Sequence, residues 1–532
     1  MSGFSLVHSR ALMGLHALSV QVEVHLANGL PSFTLVGLAD TEVKEARERV
    51  RSAIANCGLE FPTNKRITVN LAPADIPKDS GRFDLPIALG ILAASGQVDG
   101  SKLMGYEFAG ELSLSGQLRP VQGALAMALG LALQSGDESQ EPPVLVLPEG
   151  SAQEASLVPD VRVASVAHLL DVVARFAPVK SSEEATAQDT AVPADASMGW
   201  TILQTPNRTA HTSYADMREV KGQQAAKRAL EIAAAGGHSV LMVGAPGTGK
   251  SMLAQRFASI LPPMSTQEAL ESAAILSLVG QFKPNQWAQR AIQSPHHTAS
   301  AVALVGGGSP PRPGEISLAH EGILYLDEIG EFNRSSLEAL REPLESGHIS
   351  ISRAAQRTTF PARFQLIAAM NPCPCGYLGS QVRACRCTPD QVERYQGKLS
   401  GPLLDRIDIH VEVPALPPEE LLQAASAAAE STEASEQIAQ RVQLARERSQ
   451  QRQGQLNRAL EGERLQAHVL LDDAARQFLN KAAARLGWSG RGIHRAMRVG
   501  RTIADLAGAR TVQITHIAEA IQYRRVLRAQ GT

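Results

Sequence analysis

An eight-residue segment after a short apolar run has the composition of a phosphate-binding loop. It consists of Gly244, Ala245, Pro246, Gly247, Thr248, Gly249, Lys250 and Ser251. Glycines let successive backbone N–H groups turn toward a phosphate, the lysine adds a positive charge, and the serine hydroxyl ligates Mg²⁺. Because a predicted strand, 239–243, precedes this loop and a predicted helix follows it, we expect it to bind the phosphates of ATP.

Two adjacent acids end a second apolar run, 322–326. We expect Asp327 to complete the Mg²⁺ site together with Ser251, and Glu328 to orient and deprotonate the attacking water. Either motif alone occurs by chance. Both together, on strands and in this order, predict an enzyme that hydrolyses ATP with Mg²⁺.

Three further polar residues are predicted to act on the nucleotide. Asn371 ends an apolar strand, where its amide would help to position the hydrolytic water. Arg406 lies at a turn before a strand and Arg491 at the start of a helix, where guanidinium groups would neutralise charge on the γ-phosphate. Each has an alternative: Asn371 as a strand cap, Arg406 paired with Asp405, and Arg495 acting in place of Arg491.

The composition of the 532-residue chain sets broad limits. Its length exceeds the size at which a single core keeps growing, so we expect two or three domains. A formal net charge of −2 indicates that any contact with nucleic acid is local. The sequence has neither an apolar run long enough to span a membrane nor the pattern of a signal peptide. We therefore expect a cytoplasmic protein with no membrane partner.

Four of the five cysteines form two close pairs, and Cys57 stands alone. The pairs are Cys373 with Cys375 and Cys385 with Cys387. Disulfides are disfavoured in a reducing compartment, whereas four nearby thiolates are able to close a tetrahedral Zn²⁺ site. The alternative is that four unligated cysteines only shape a loop.

Changes in pattern divide the chain into four predicted segments. Residues 1–178 mix short strands with helices. Residues 179–213 have few bulky apolar side chains in their first part and are expected to form a linker. Residues 214–415 alternate apolar strands with helices, as in a parallel sheet covered on both faces. Residues 416–532 are predicted to form a helical lid, and the whole chain is assigned to an α/β multidomain class.

Individual elements are predicted from periodicity and from helix-start and helix-stop residues. The predicted strands are 18–26, 32–36, 66–71, 239–243, 322–326, 364–370 and 408–413, and a β-hairpin is predicted over 347–363. The predicted helices are 41–55, 85–94, 222–235, 419–457, 472–485, 490–506 and 515–527. Gly487 and Gly508 are expected just past helix ends, and Ser489 and Thr515 as N-caps.

With these motifs in place, residues 214–525 resemble the AAA+ ATPases, and within them the magnesium-chelatase-like branch. Insertions at 296–320 and 347–363 resemble those that point into the ring channel in that branch. Together with residues 371–376, they make the chain resemble the ComM/YifB family. The resemblance implies a hexameric ring in which Arg406 is an arginine finger reaching a neighbouring subunit. It also implies that Arg491 is a lid sensor and Asn371 the polar sensor of the ATPase core.

The N-terminal segment also resembles the ComM/YifB family, at 29–40, 69–78 and 110–121. That resemblance implies an α+β domain with the Lon-protease fold, of the S5 domain 2-like type. Lon-type catalysis requires a serine nucleophile activated by a lysine. The corresponding positions fall near Arg82 and near Ala126 or Met127, and nearby Ser80 has no lysine partner in the pattern. We therefore expect a non-catalytic domain.

The resemblance further implies a DNA helicase that promotes branch migration during natural transformation. Single-stranded and branched DNA would be its partners, with recombination machinery as a further one. Arg353 and Arg357, on the predicted hairpin, are the candidate DNA contacts, because a ring repeats channel cations in every subunit. Alternatively, Arg353 pairs with Glu342 or Glu345, or contacts nucleotide at a subunit boundary. Competing functions are a chelatase-type motor and a protein-remodelling motor.

Overall fold

The computed structural model describes residues 3–37, 41–78, 81–134, 142–178, 199–206, 214–308, 310–353, 356–380, 383–417 and 433–524. Within them the chain is a multidomain α/β protein with two large sheets, one mixed and one parallel. The mixed sheet comes first in sequence, the parallel sheet second, and a set of helices last. The α/β class predicted from the alternation of strands and helices is confirmed.

The described part of the N-terminal region contains ten strands. They are β1 (Phe4–Met13), β2 (His16–Asn28), β3 (Ser32–Val36), β4 (Lys65–Ala72), β5 (Tyr106–Phe108), β6 (Glu111–Leu112), β7 (Leu118–Arg119), β8 (Val144–Pro148), β9 (Val163–Val166) and β10 (Trp200–Leu203). Eight of them form one sheet in the order β10-β9-β8-β5-β1-β2-β4-β3, and β6 pairs with β7 separately. Alternate side chains of β2 are buried along much of its length, as the predicted period of two requires.

Five helices accompany this sheet. They are α1 (Thr41–Asn56), α2 (Asp84–Ala94), α3 (Ala124–Gln134), α4 (Glu149–Ala155) and α5 (Leu169–Arg175). Helix α2 contacts β1 and β2 on one side and α1 on another. Because it is enclosed in this way, its side chains are buried from Asp84 to Leu92, which explains why its sequence is apolar all round.

The residue pattern does not predict β1, because its inward side chains include a charged one. Arg10 is 1% exposed and donates from Nε to Glu107 at 2.5 Å. A second bond runs from Arg10 Nη1 to the carbonyl oxygen of Ala17 at 3.1 Å. The buried charge is thus paired and hydrogen-bonded, which a periodicity argument based on apolar residues cannot anticipate.

Strand β10 lies inside the range 179–213 that the sequence assigns to a linker. It pairs antiparallel with β9 and extends the N-terminal sheet by one strand. Trp200 is 7% exposed and packs edge-on against Tyr106 and Phe176. Residues 199–206 therefore belong structurally to the N-terminal sheet, held there by the β9–β10 ladder, the buried indole of Trp200 and the packing of Leu203. Residues 179–198 and 207–213 lie outside the described residues.

The predicted ATPase segment, residues 214–415, contains nine described strands. They are β11 (Val240–Val243), β12 (Ile292–Gln293), β13 (Gly306–Gly307), β14 (Arg312–Pro313), β15 (Ile323–Leu326), β16 (His348–Arg353), β17 (Gln356–Pro361), β18 (Gln365–Met370) and β19 (Ile409–Glu412). Five form a parallel sheet in the order β12-β15-β18-β11-β19. Strands β16 and β17 form an antiparallel pair, which confirms the hairpin predicted over 347–363.

Nine described helices lie in the same segment. They are α6 (Gln224–Gly236), α7 (Lys250–Arg256), α8 (Thr266–Leu278), α9 (Ala301–Val305), α10 (Glu315–Leu318), α11 (Arg334–Glu338), α12 (Arg341–Ser346), α13 (Pro389–Gln396) and α14 (Gly401–Leu404). Val240 and Met242 join one apolar cluster, whereas Leu241 and Val243 join another on the opposite sheet face. Both faces of the parallel sheet are therefore covered, as its continuous apolar strands predict.

The C-terminal part is helical. Its described helices are α15 (Ser435–Gln453), α16 (Gly462–His468), α17 (Asp473–Leu486), α18 (Gly490–Leu506) and α19 (Ile514–Gln522). Gly487 ends α17 with φ +59°, and Ser489 caps α18, as predicted. The predicted N-cap Thr515 is wrong, because Gln513 occupies that position. Within 419–457, predicted as one helix or a helical pair, the structure has α15 over Ser435–Gln453 with Gly454 as its C-cap, while 418–432 lie outside the described residues.

The N-terminal region contacts the ATPase segment chiefly between α3 and α8. Ser277, on α8, accepts a backbone hydrogen bond from Gly123 at 3.0 Å and donates its hydroxyl to Glu154 at 2.7 Å. A second contact lies at the turn between β1 and β2. There, a Cβ on Gly14 would come within 2.6 Å of Thr358 Cγ2, on the hairpin. The hairpin is therefore packed against the N-terminal region.

Candidate functional site

The phosphate loop follows β11 directly and leads into α7. Gly247 and Gly249 have φ of +78° and +92°, a region open to glycine but strained for other residues. The Nζ of Lys250 lies inside the loop and donates to the carbonyl oxygens of Gly244 at 2.7 Å and Ala245 at 2.9 Å. Burial lowers the pKa of Lys250, although Asp327 and Glu328 oppose that shift. The loop thus encloses one positive charge at a turn rich in backbone N–H groups.

The two predicted acids lie beside this loop at the end of β15. The hydroxyl of Ser251 donates to Oδ2 of Asp327 at 2.9 Å, so the two predicted Mg²⁺ ligands are adjacent. Glu328 is exposed, and its backbone has φ +50°, which is unusual for a residue with a side chain. This conformation turns the chain sharply after Asp327 and leaves the Glu328 carboxylate free to face solvent. An oxygen donor set of this kind suits Mg²⁺.

Asn371 lies at the same edge of the sheet, directly after β18. Its Oδ1 accepts from Nζ of Lys250 at 3.3 Å. Because β11, β15 and β18 are parallel neighbours, their carboxyl ends meet at this edge, where ligands bind in open α/β sheets. The structure therefore brings together the phosphate loop, both acids and Asn371.

The two predicted arginines lie at the opposite edge of the sheet. Arg406 and Arg491 line a cavity of about 540 Å³, together with Ser239, Phe364 and Asp408. Those last three residues directly precede β11, β18 and β19, at the amino ends of the strands. No residue of the phosphate loop lines this cavity. One subunit therefore places its phosphate loop and these arginines at opposite ends of the same strands.

Side chains in this arginine cavity differ in how they are held. Arg406 is 11% exposed and forms an ion pair with Glu345. Arg491 is exposed, whereas Arg495 is buried, and burial lowers the pKa of Arg495 to about 10. Arg495 lies 3.7 Å from Asp408, so its charge is compensated within the subunit. Of Arg491 and Arg495, both on α18, Arg491 is the one whose side chain reaches solvent.

Two more arginines line the cavity and were not indicated by any sequence motif. Arg458 donates to the carbonyl oxygen of Phe364 at 2.9 Å, and Arg498 donates to that of Arg458 at 2.7 Å. Each is thus tied to backbone in the lid or the core. Their positions follow from tertiary packing alone, which is why spacing along the chain could not reveal them.

The hairpin contains the two candidate DNA contacts. Arg357 is exposed on β17, opposite Ser352 in the register, and the side chain of Arg353 lies outside the described residues. Glu345 pairs with Arg406, which opposes the alternative that it binds Arg353. Arg363, beyond the hairpin, forms ion pairs with Glu271 and Glu321, and its charge is therefore already compensated.

The four clustered cysteines converge. The Sγ of Cys373 lies 3.4 Å from that of Cys375 and 3.6 Å from that of Cys385, and all four Sγ atoms lie within 4.8 Å of one another. These distances exceed a disulfide bond and suit a tetrahedron with Zn–S bonds of about 2.3 Å. Backbone N–H groups of Arg386 and Tyr377 lower the pKa of Cys375 to about 6, which favours its thiolate. The donor set therefore fits Zn²⁺.

The cysteine loop touches the nucleotide site. It follows Asn371 directly, and a Cβ on Gly376 would lie 2.6 Å from Cδ of Pro246 in the phosphate loop. The side chain of Gln396 donates to the carbonyl oxygen of Pro372 at 2.9 Å and holds the start of the loop on α13. A change in the conformation of this loop would therefore alter the positions of Asn371 and Pro246.

Comparison with known proteins agrees with this geometry. The family described as magnesium chelatase, subunit ChlI, matches residues 216–421. A further ChlI family matches residues 22–139, and the ChlI C-terminal family matches 432–524. The match over 216–421 contains the phosphate loop, both acids, Asn371 and Arg406. It supports an ATPase that depends on nucleotide and Mg²⁺.

Three relatives are similar along nearly their whole length. YifB of Salmonella typhimurium is 48% identical over 98% of this chain and 97% of its own. Competence protein ComM of Haemophilus influenzae is 47% identical, with 98% of each chain covered. YifB of Escherichia coli is 46% identical over 98% of this chain and 97% of its own. The chain belongs to the ComM/YifB family.

In this ComM/YifB chain, the N-terminal positions at which the sequence resemblance predicts a Lon-type dyad to be missing are buried. Arg82 is 3% exposed, and Ala126 and Met127 are fully buried within α3. Lys78 is also fully buried, and its Nζ donates to the carbonyl oxygen of Pro73. Ser80 lies outside the described residues. Among the described helices, none combines the length and hydropathy needed to cross a membrane.

Proposed function

We propose that this protein is a ring-forming, ATP-dependent DNA translocase that promotes branch migration during recombination in natural transformation. One observation carries the ring: the phosphate loop and the arginine pair occupy opposite edges of one sheet. A four-residue strand such as β11 is about 13 Å long at roughly 3.3 Å per residue. Arg406 and Arg491 therefore cannot serve their own nucleotide, and a second copy must supply them.

In this proposal each ATP lies between two subunits. Lys250 and the loop N–H groups bind its phosphates, Ser251 and Asp327 hold Mg²⁺, and Glu328 and Asn371 position the water. Arg406, the arginine finger, and Arg491, the lid sensor, come from the neighbour and neutralise charge on the γ-phosphate. A hexamer is the ring size that the AAA+ resemblance implies.

DNA is the proposed substrate because of the hairpin and because of the relatives. Arg357 is exposed on strand β17 of the hairpin, and Arg353 ends the partner strand β16, where it lies opposite Gln356. A ring repeats these cations around its axis, which produces a local positive field despite the near-neutral chain. One close relative is named as a competence protein, which supports a role in DNA uptake and recombination in the cytoplasm.

The test is the ATPase activity of the assembled protein at low salt, with and without single-stranded or four-way branched DNA. We expect DNA to stimulate hydrolysis and the ring to move a branch point only when ATP is hydrolysed. The stimulation should be lost in the Arg353→Ala, Arg357→Ala double variant but kept in Arg476→Ala, an exposed arginine on α17. An ATPase that neither binds nor responds to DNA would contradict the proposal and favour a chelatase-type or protein-remodelling motor.

We also propose that Cys373, Cys375, Cys385 and Cys387 hold a structural Zn²⁺. The support is the convergence of four thiols within tetrahedral range. Metal analysis of anaerobically purified protein should find one Zn²⁺ per chain, and Cys385→Ser should lose it. Protein that folds and contains no stoichiometric metal would contradict this assignment.

For the N-terminal region we propose a Lon-like, non-catalytic domain that supports the ring. Buried Arg82, Ala126 and Met127 occupy the positions where a dyad would require reactive, accessible groups. The packing of α3 against α8 and of the β1–β2 turn against the hairpin supports a scaffolding role.

A further inference from the structure

We infer that Glu345 is a positioning residue that holds the arginine finger away from the neighbouring nucleotide until the hairpin is engaged. This inference rests on the proposed role of Arg406. Its basis is the ion pair between Glu345 and Arg406, which joins the end of helix α12 to the arginine cavity.

The position of Arg406 in the free subunit is defined by partners of its own chain. Its Nη1 donates to the carbonyl oxygen of Pro402 at 2.7 Å, and Nη2 is paired with Glu345. Its Nε is buried and has no hydrogen-bond acceptor among the described residues. The Arg406 side chain is only 11% exposed, so little of it is open to a group from outside the subunit.

Glu345 and a γ-phosphate would compete for the same group. A guanidinium binds carboxylate and phosphate with the same planar fork of donors. Since Nη2 faces Glu345, that donor cannot simultaneously face a phosphate in the next subunit. Glu345 is 57% exposed, so its own carboxylate is already largely hydrated when it separates from Arg406, and the γ-phosphate then takes its place as the partner of the Arg406 charge. The pair is therefore able to open at a modest cost.

Glu345 is mechanically joined to the hairpin. It is in the last turn of α12, and β16 begins three residues later. The amide of Gly347 donates to the carbonyl oxygen of Pro343 at 3.0 Å, and the carbonyl oxygen of Gly347 accepts from Ala362 at 2.7 Å, beyond β17. Both strands of the hairpin are thus tied at their base to the end of α12. A load on the hairpin is transmitted to the backbone that carries Glu345.

The consequence is a link between DNA contact and hydrolysis in the adjacent subunit. Without DNA, Glu345 retains Arg406, and ATP hydrolysis in the neighbouring subunit is slow. When DNA displaces the hairpin, Glu345 moves with it, and Arg406 becomes free to reach the γ-phosphate. The signal passes from the hairpin of one subunit to the nucleotide of the next.

The decisive variant is Glu345→Gln, which keeps the shape and removes the charge. We expect DNA-free ATPase to rise about fivefold, since a partly exposed ion pair contributes roughly 1 kcal/mol, with the ratio of DNA-stimulated to basal activity falling accordingly. The change should appear in kcat and leave KM for ATP unaltered. Glu345→Asp should retain most of the regulation.

Glu342→Gln is the matched control. Glu342 lies on the same helix, is exposed, and forms no ion pair in the part of the chain that the structure describes. We expect its basal and stimulated activities to equal those of the wild type. If Glu345→Gln behaves like Glu342→Gln, or lowers both activities in parallel, the inference is overturned.

Mixed rings give a readout that a local structural effect would not produce. A subunit that carries Lys250→Ala together with Glu345→Gln has no hydrolysis of its own, so any gain must come from its neighbour. We expect such subunits, mixed with wild type, to raise DNA-free ATPase above mixtures made with Lys250→Ala alone. Equal rates in the two mixtures would contradict a signal between subunits.

The same experiments separate this inference from the proposed function. If Arg406→Ala leaves wild-type activity intact, the arginine-finger assignment fails, and the inference fails with it. If Arg406→Ala abolishes hydrolysis while Glu345→Gln changes nothing, the finger stands and only the restraining role of Glu345 is wrong.

Discussion

The two edges of the parallel sheet differ in how complete they are within one subunit. At the carboxyl edge, two hydrogen bonds are already formed: Lys250 to Asn371 at 3.3 Å and Ser251 to Asp327 at 2.9 Å. At the amino edge, Arg406 is withheld by Glu345, and Arg491 projects into solvent. The residues of the carboxyl edge are thus already assembled within one subunit, whereas the arginines of the amino edge lie away from the phosphate loop of their own chain.

This difference follows from how each edge is encoded. The carboxyl edge is built by loops that directly follow apolar strands, so local sequence determines both its residues and their proximity. The amino edge draws Arg406, Arg491 and Glu345 from three distant segments, and in the proposed ring these residues act on the nucleotide of a second copy. The contrast predicts that damage at the first edge abolishes nucleotide binding, whereas damage at the second spares binding and slows turnover.

The largest effect is expected from Lys250→Ala. This change removes the only positive side chain inside the phosphate loop and should eliminate measurable ATP binding, checked with a fluorescent nucleotide analogue. Strong ATP binding by Lys250→Ala would contradict the assignment of the carboxyl edge.

Glu328→Gln should instead keep ATP binding and abolish ATP turnover, because the carboxylate acts on the water and not on the phosphates.

Arg406→Ala is expected to have the next largest effect. Hydrolysis should fall by about a thousandfold, as is typical when an arginine finger is removed. ATP affinity should stay within a few-fold of wild type, because the phosphate loop is untouched. Arg394→Ala, on α13, provides a control for loss of one arginine elsewhere in the core. A parallel loss of affinity and turnover would indicate that Arg406 supports folding instead.

The sequence predicted the carboxyl edge almost completely and the amino edge only in part. Both acids and Asn371 lie close to the phosphate loop, as predicted, because the predicted strands are parallel and their carboxyl ends are aligned. The pairing of Arg406 with Glu345, in contrast, joins residues 61 positions apart that share no motif. Periodicity also could not show that residues 199–206 return to the N-terminal sheet, because strand β10 has only four residues and its partner strand β9 is not adjacent in sequence.

The N-terminal region shows the same limit. Strand β1 was not indicated because Arg10 is buried with Glu107, and a pattern of apolar residues does not reveal a compensated charge. Thr515 was a reasonable N-cap by residue type, yet the chain turns into the helix at Gln513, two residues earlier. Helix starts are thus less well determined by sequence than the helices themselves.

The smallest effect is expected where the N-terminal region supports the amino edge. Helix α8 connects the N-terminal region to the amino edge. Its Glu271 accepts hydrogen bonds from His320 and Arg363, near the amino end of β15. Its Ser277 donates a hydrogen bond to Glu154 of the N-terminal region. Burial raises the pKa of Glu154 to about 7, so the folded protein holds a proton that the unfolded chain releases near pH 4.5. The amino edge should therefore have a support whose strength depends on pH.

The sign follows from linkage. A carboxyl group whose folded-state pKa is raised contributes stability that is fully present below pH 4.5 and is lost as pH rises through about 7. Glu154→Gln, which stays neutral, should match the wild type at pH 4 and be more stable at pH 8, by on the order of 2 kcal/mol. Thermal midpoints measured from pH 4 to 8 provide the check, with Glu149→Gln on the exposed start of α4 as control. Helix α8 also pairs with Arg363, which lies beside the hairpin. We therefore expect Glu154→Gln to retain its DNA-stimulated ATPase activity at pH 8 better than the wild type does. Identical pH profiles for wild type and Glu154→Gln would show that this contact does not couple protonation to the amino edge.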